Sequence, residues 1–335
     1  MSSIGTSLIV PKISETKGAM WAYLVLGITA GSMMLCFVMV TVLCNRERYE
    51  LPESKVSLGN IFGMFRTNDQ LVAYALSYIM FVVTTTIALF QIIYIFIYYG
   101  DMGGLGYLSQ GLGYTVFTAV SCTGQGIAMF FYSLIVKKIP REKIYGTNYF
   151  LAIIGLVGLF AVFFFIKPEY NGIGNDIAKW INVIIVALAG AFLMTSNGLN
   201  QIGSTVMIAD VVDYGEWKTG SRADSVIFSV QTLLTKFAGA IAMFVIGLGI
   251  KVAKLPSITQ TWDDEAGVFV YSFVNASGTA ITTQALDVLR IFMFLVPIPF
   301  CIVGYIIYKK KYWLYGEKYD KIKAQIDERR KAEKA

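Results

Sequence analysis

The sequence predicts an all-α membrane protein of seven spans, on three observations. Hydrophobic residues make up 56% of the 335 and charged residues only 15%, against about 25% charged in soluble domains, and the mean hydropathy is +0.61. The apolar residues fall in runs long enough to cross a bilayer core of roughly 30 Å. The basic residues collect in alternate connections between those runs, as the positive-inside rule requires of a multi-span chain.

In order, the spans read Ala19–Cys44, Leu71–Tyr99, Tyr114–Val136, Lys143–Ile166, Ile177–Val211, Val226–Ile250 and Ala285–Tyr308. The fifth is long enough to tilt or to project beyond the membrane. Gly155, Gly158, Gly239, Gly247 and Gly249 are small residues of the kind that lets membrane helices approach closely. The chain divides into an N-terminal segment with the first helix (1–44), a loop (45–70) holding an amphipathic piece at Leu58–Phe65, a six-helix bundle (71–308) and a charged tail (309–335). In the tail, Leu314, Tyr319, Ile322 and Ile326 mark either an amphipathic helix or a merely solvated end.

Loops 45–70, 137–143 and 212–222 and the tail after Tyr308 carry most of the 28 Lys and Arg. The C-terminus is therefore expected on the cytoplasmic side and the N-terminus outside. A net charge of +6 is compatible with nucleic acid, but the basic residues sit beside spans, so the expected partner is the lipid bilayer and no nucleic acid. Cys36, Cys44, Cys122 and Cys301 lie in or at the ends of apolar runs without CxxC spacing, and read as small apolar residues. The chain has no histidine and shows no nucleophile–base pair or metal-ligand cluster. No enzyme activity and no cofactor are expected.

Lys236 carries the most information. It lies fourteen residues beyond Arg222, about 21 Å along a helix at roughly 1.5 Å per residue, which is membrane depth. An ammonium there needs a wet cavity or a partner. Arg222, Ser225, Ser229, Thr232, Lys236 and Gly239 recur at alternating steps of three and four, so they share one helical face. Val226, Ile227, Phe228, Leu233, Leu234 and Phe237 make up the other faces. Snorkelling or structural pairing of Lys236 is one reading; a cavity-lining substrate or coupling residue is the other, favoured by the polar row around it. In the fifth span, Asn197, Asn200, Gln201 and Ser204 form a second row. Its amides suit sugar hydroxyls and equally suit interhelical hydrogen bonds. Gln91 and Gln125 are isolated polar residues in the second and third spans.

Between the fifth and sixth spans the chain reads Met207-Ile-Ala-Asp-Val-Val-Asp-Tyr-Gly-Glu-Trp-Lys-Thr-Gly-Ser-Arg222-Ala-Asp224. Read as a short cytoplasmic turn, its acids and bases suit either ion pairs that break and form between conformations or the anchoring of two helix ends among lipid headgroups. Ala209-Asp210, the run Asp213–Gly220, and Ser229-Val-Gln-Thr232 with Lys236 resemble the signature of the glycoside–pentoside–hexuronide:cation symporters. Arg66-Thr-Asn-Asp-Gln-Leu71 and Pro297 add weaker support.

The resemblance implies a major-facilitator-type bundle, with the C-terminal six-helix half preceded by the last helix of the first half, working by alternating access. It implies symport of a sugar (glycoside, pentoside or hexuronide) with a monovalent cation, Na+ or H+. Lys236 matches the family's membrane-embedded lysine and Thr232 its neighbour one turn earlier. Asp210, Asp213 and Glu216 match the acids of the cytoplasmic gate, to which the spacing adds Lys218 and Arg222. Gln201 stands where a well-studied member has an aromatic residue beside the sugar; with Asn200 and Asn197 it completes the expected substrate wall. The family's cation carboxylates belong to its first helices. About five of these are expected to be missing here, so the alternative expectation is a truncated, inactive or assembly-dependent form of such a symporter.

Overall fold

The structure, a computed structural model, describes residues 19–44, 65–102, 107–165, 176–220, 224–254, 259–263, 268–272 and 283–332, with Ile13, Lys17, Gly63 and Asn68 among the flanking or enclosed single positions. Helix α1 is Ala19–Cys44, α2 Asp69–Met102, α3 Tyr107–Lys138, α4 Arg141–Phe165, α5 Asp176–Thr219 and α6 Asp224–Ala253. An antiparallel hairpin follows, with β1 at Thr259–Asp263 paired to β2 at Val268–Ser272. The last span comprises α7 (Thr283–Arg290), a π-helical stretch Ile291–Leu295 and α8 (Pro297–Lys311), and α9 (Glu317–Ala332) closes the chain. Seven of these segments are long and apolar enough to cross a membrane.

Helix α5 occupies the centre of one side of the bundle, between α3 and α4. Small residues make both approaches possible. A Cβ at Gly155 of α4 would stand only 2.7 Å from the Leu193 backbone nitrogen of α5, so no side chain fits there. Beside it, Ser196 Oγ donates across the same interface to the Asn148 carbonyl at 2.8 Å. On the α3 side, Ser121 Oγ donates to the Ala187 carbonyl at 3.1 Å. Of the other glycines expected at interfaces, Gly158 and Gly249 do face neighbours, but Gly239 and Gly247 have nothing within 4 Å. Those two lie on the open side of α6.

Helix α2 joins the other elements. It packs on α6 and α8, with the Tyr78 and Thr235 hydroxyls 3.0 Å apart across α2–α6. Thr84 Oγ1 donates towards the Pro297 carbonyl at 3.2 Å across α2–α8. Helix α4 meets α8 through a row of tyrosine rings, with Tyr145 and Tyr308 4.6 Å apart. Tyr74, Phe81, Phe117, Tyr149 and Phe294 are the largest wholly buried side chains of one continuous core. Helix α1 stands apart: Ala22 is its one buried residue among those described, and Met34, Phe37 and Leu43 are exposed.

Three features differ from the sequence expectation. Residues 212–219, read as a turn, continue α5 as helix: the stretch holds no proline, and Gly215 is carried within the helix. Gly220 ends the helix with φ +75° and donates its N–H to the Glu216 carbonyl at 2.8 Å, the left-handed closure that favours glycine. The span expected over Ala285–Tyr308 is interrupted: Val296 N–H bonds back to the Ile291 carbonyl, a widened turn immediately before Pro297, whose ring cannot donate to the preceding turn. The hairpin between α6 and α7 was not foreseen, since its strands are shorter than any span and carry no strong turn signal.

Candidate functional site

The predicted wall residues fall on α5 and α6, and the packing of each helix decides which way they point. Val226, Ile227, Val230, Leu234, Ala238, Ala242 and Ile246 of α6 are buried, a period that presses one face against α2. The Tyr78–Thr235 contact pins that rotation. As a result Ser229, Thr232 and Lys236 are exposed on the side turned away from the chain's own core. Thr232 Oγ1 bonds only within its helix among the described contacts, to the Phe228 carbonyl at 3.4 Å. Leu233 and Phe237, 59% and 57% exposed, occupy the neighbouring sector. The side chain of Ser225 and all of Arg222 lie outside the described residues.

On α5 the second polar row straddles a boundary. Asn200 and Ser204 are buried, Asn197 is half-buried and Gln201 is exposed. The Asn200 Oδ1 atom is buried with no hydrogen-bond partner among the described residues. An acceptor in that position is costly unless something else reaches it. The side chain of Gln91 is outside the described set, while Gln125 packs where a Cβ on Gly198 would strike it.

At the end of α5, several of the polar residues meet partners on other elements. Lys218 Nζ sits 2.9 Å from Asp69 Oδ1 at the start of α2, and Tyr214 donates to the same oxygen at 2.8 Å. Asn68 caps α2 by accepting the Leu71 N–H at 2.9 Å and donates its amide to the Val211 carbonyl at 3.1 Å. Tyr319 of α9 donates to Asp213 at 2.8 Å, and Trp217 Nε1 to Gln325 Oε1 at 2.6 Å. Burial, and the Asp210 and Asp213 carboxylates beside it, push the Tyr319 phenol up, so it remains a donor. Asp210 is buried with Arg141 of α4 at 3.9 Å. Glu216 is half-buried.

Sequence reasoning therefore found the acids but missed partners on other elements. Asp69 stood inside a quoted motif, as the acidic residue opening a helix. Arg141 stood in a basic loop, and Tyr319 within the apolar row of the tail.

Between α3, α4, α5, α8 and the tail, with Phe228 of α6 at its border, lies a cleft of about 750 Å3. Asp210 and Arg141 line it, together with tyrosines from α3, α4, α8 and the tail. Lys236, Thr232, Asn197, Asn200 and Gln201 do not.

The comparisons with known proteins place the chain among sugar carriers. The lactose permease of Lactobacillus delbrueckii subsp. bulgaricus is 25% identical over 275 residues, which are 82% of this chain and 37% of that protein. The raffinose carrier protein of Pediococcus pentosaceus is 22% identical over 82% of this chain and 36% of its own length. A putative sulfoquinovose importer of Escherichia coli is 32% identical over 26% of this chain and 18% of its own length. The chain thus spans little more than a third of the length of the lactose and raffinose carriers it matches. The family model described as MFS/sugar transport protein matches residues 2–310. Seven membrane-length helices among the described residues and a family match over nearly the whole chain make this protein a member of the MFS/sugar transport family, the major-facilitator relationship its motifs resemble.

Proposed function

We propose that this chain forms one wall of a sugar transport path that works by alternating access, with sugar moved in symport with Na+ or H+. The observation that carries the reading is the polar stripe of α6. Its membrane-depth lysine and threonine face outward from their own bundle, a placement that wastes them unless a second wall or a wet cavity meets them. Lys236 and Thr232 are assigned to the sugar, with Gln201 and Asn197 at its edge and the partnerless Asn200 oxygen as an acceptor for a sugar hydroxyl. The lactose and raffinose specificities of the relatives make a glycoside the first substrate to try. The coupling ion binds on the opposite wall, which these residues do not supply. Residues 1–335 acting alone are therefore assigned no cation-driven uptake.

The polar end is assigned the gate. Asp210, Asp213, Glu216, Lys218 and Arg222 are assigned to the cytoplasmic side, where the Lys218–Asp69, Asp210–Arg141 and Asp213–Tyr319 contacts hold the end of α5 in one arrangement. Cysteine labelling tests this orientation. An impermeant thiol reagent added outside sealed cells is expected to reach cysteines substituted at Ser109 and Gln260 but not at Gly220; labelling at Gly220 reverses the topology.

The transport reading is tested by radiolabelled lactose uptake in vesicles, with and without a sodium gradient. The chain is assayed alone and paired with a six-helix amino-terminal half of the same family. Gradient-driven uptake only in the paired form, abolished by Lys236→Ala, is the expected result. Robust uptake by the 335-residue chain alone would contradict the one-wall assignment.

A further inference from the structure

We infer that the cleft between α3, α4, α5, α8 and the tail, which α6 borders through Phe228, is a second carbohydrate site, distinct from the Thr232–Lys236 stripe, that takes a neutral mono- or disaccharide. The choice of sugar as ligand rests on the transport reading; the existence of a site rests on the cleft itself.

Its size is right. About 750 Å3 falls within the roughly 300–1,000 Å3 of small-molecule sites. Its chemistry is selective. Tyr132, Tyr145, Tyr308, Tyr312, Tyr315 and Tyr319 all line it, giving ring faces for the C–H surface of a sugar and hydroxyls for its rim. The charged lining residues are Arg141 and Lys323 against Glu142, Asp210 and Asp320. With acids outnumbering bases, a phosphate or carboxylate ligand is disfavoured. A neutral polyol gains both ways, donating to carboxylates and accepting from the guanidinium and ammonium.

The second observation is Tyr312. It is only 3% exposed, and its hydroxyl is buried with no hydrogen-bond partner among the described residues. A buried hydroxyl left unpaired is costly, and this one belongs to a side chain in the cleft wall. A shift of the Tyr312 ring that turns this hydroxyl into the cleft lets a ligand rich in hydroxyls supply the missing partner. Tyr319, Asp320 and Lys323 of α9 form part of the same wall, so occupancy also fastens the tail onto α5, at the end where Tyr319 already holds Asp213.

The test uses the 335-residue chain in phosphatidylcholine nanodiscs with lactose as the probe, read by saturation-transfer NMR and titration calorimetry. Folding of each variant is checked by helical circular dichroism. Lactose is expected to bind, Tyr312→Phe to weaken it at least about fivefold by removing one hydrogen bond, and Thr205→Trp, which fills the cleft, to abolish it. The inference is overturned if the folded chain shows no binding up to about 100 mM, well above the millimolar range of the weakest useful sites. Binding that survives both variants but is lost in Lys236→Ala would place the sugar on the α6 wall and also overturn it. So would a cleft that takes added phosphatidylglycerol and not lactose. The two readings fail separately. Lys236-dependent uptake by the paired transporter with no lactose in the cleft removes this inference alone. Lactose in the cleft with no uptake by the paired transporter removes the transport reading alone.

Discussion

The C-terminal end of α5 and the middle of α6 carry comparable polar chemistry in opposite states of completion. At the end of α5, Lys218 has Asp69, Asp213 has Tyr319, and Trp217 has Gln325, each supplied by another element of the same chain. At mid-α6, Lys236 and Thr232 face outward, and the Thr232 hydroxyl bonds to the Phe228 carbonyl within its own helix. The difference separates two kinds of polar residue in a membrane bundle. Residues satisfied by their own chain hold it in one arrangement. Residues turned outward at membrane depth are, on the proposed reading, the ones that meet a second wall or a wet cavity.

The largest effect expected from this contrast is functional. In the paired transporter, Lys236→Ala should reduce uptake by about two orders of magnitude, because a charge at membrane depth has no substitute there, while thermal stability stays unchanged. Lys236→Arg should retain part of the activity, since charge survives and shape does not. A large loss of stability in Lys236→Ala would mean that the lysine is structural and would break the contrast.

A smaller, purely structural effect belongs to the α4–α5 contact. Gly155→Leu forces side-chain atoms into the Leu193 backbone and should destabilise by about 1–3 kcal/mol through overpacking, measured by thermal or SDS-induced unfolding. Smaller again is Tyr319→Phe, which removes the Asp213 hydrogen bond and should cost about 0.5–1.5 kcal/mol. Its readout is local: faster protease cleavage of α9, with the transmembrane core still protected. If the core opens equally, the tail is integral to the bundle and not a separately docked element. The smallest effect is expected from Lys218→Ala. With the two side chains 40% and 54% exposed, solvent screening limits the Asp69 pair to about 0–1 kcal/mol. A change in the balance of inward- and outward-open states, read by accessibility of the gate end, should exceed any change in stability.

Much of the bundle was legible in the sequence because a lipid-facing helix must be apolar along its length, and a basic loop marks its end. The α6 stripe was legible for a related reason: Ser229, Thr232 and Lys236 share a period that no lipid-facing surface would keep. The extension of α5 through Asp213 and Trp217 was not. Polar residues resemble a turn until their partners are known, and Asp69 and Tyr319 are more than a hundred residues away in sequence. The split in the α5 row was equally hidden. Periodicity groups Asn200 with Gln201, but the packing of α3 and α4 around α5 decides that one is buried and the other exposed. Tyr312 carried no local signal at all, since its place is in a cleft assembled from segments far apart in sequence.

Wetness of the α6 stripe tests the central claim most directly. Single cysteines at Ser229, Thr232, Leu233 and Phe237 in the paired transporter are exposed to a charged methanethiosulfonate, which reacts only with thiols that meet water. Cysteines at Ser229 and Thr232 should react, and lactose should slow the reaction at Thr232, while those at Leu233 and Phe237 stay unmodified in lipid. Equal reactivity around the helix, or reaction at Leu233 and Phe237 with Thr232 inert, would contradict the assignment of this face to a transport path.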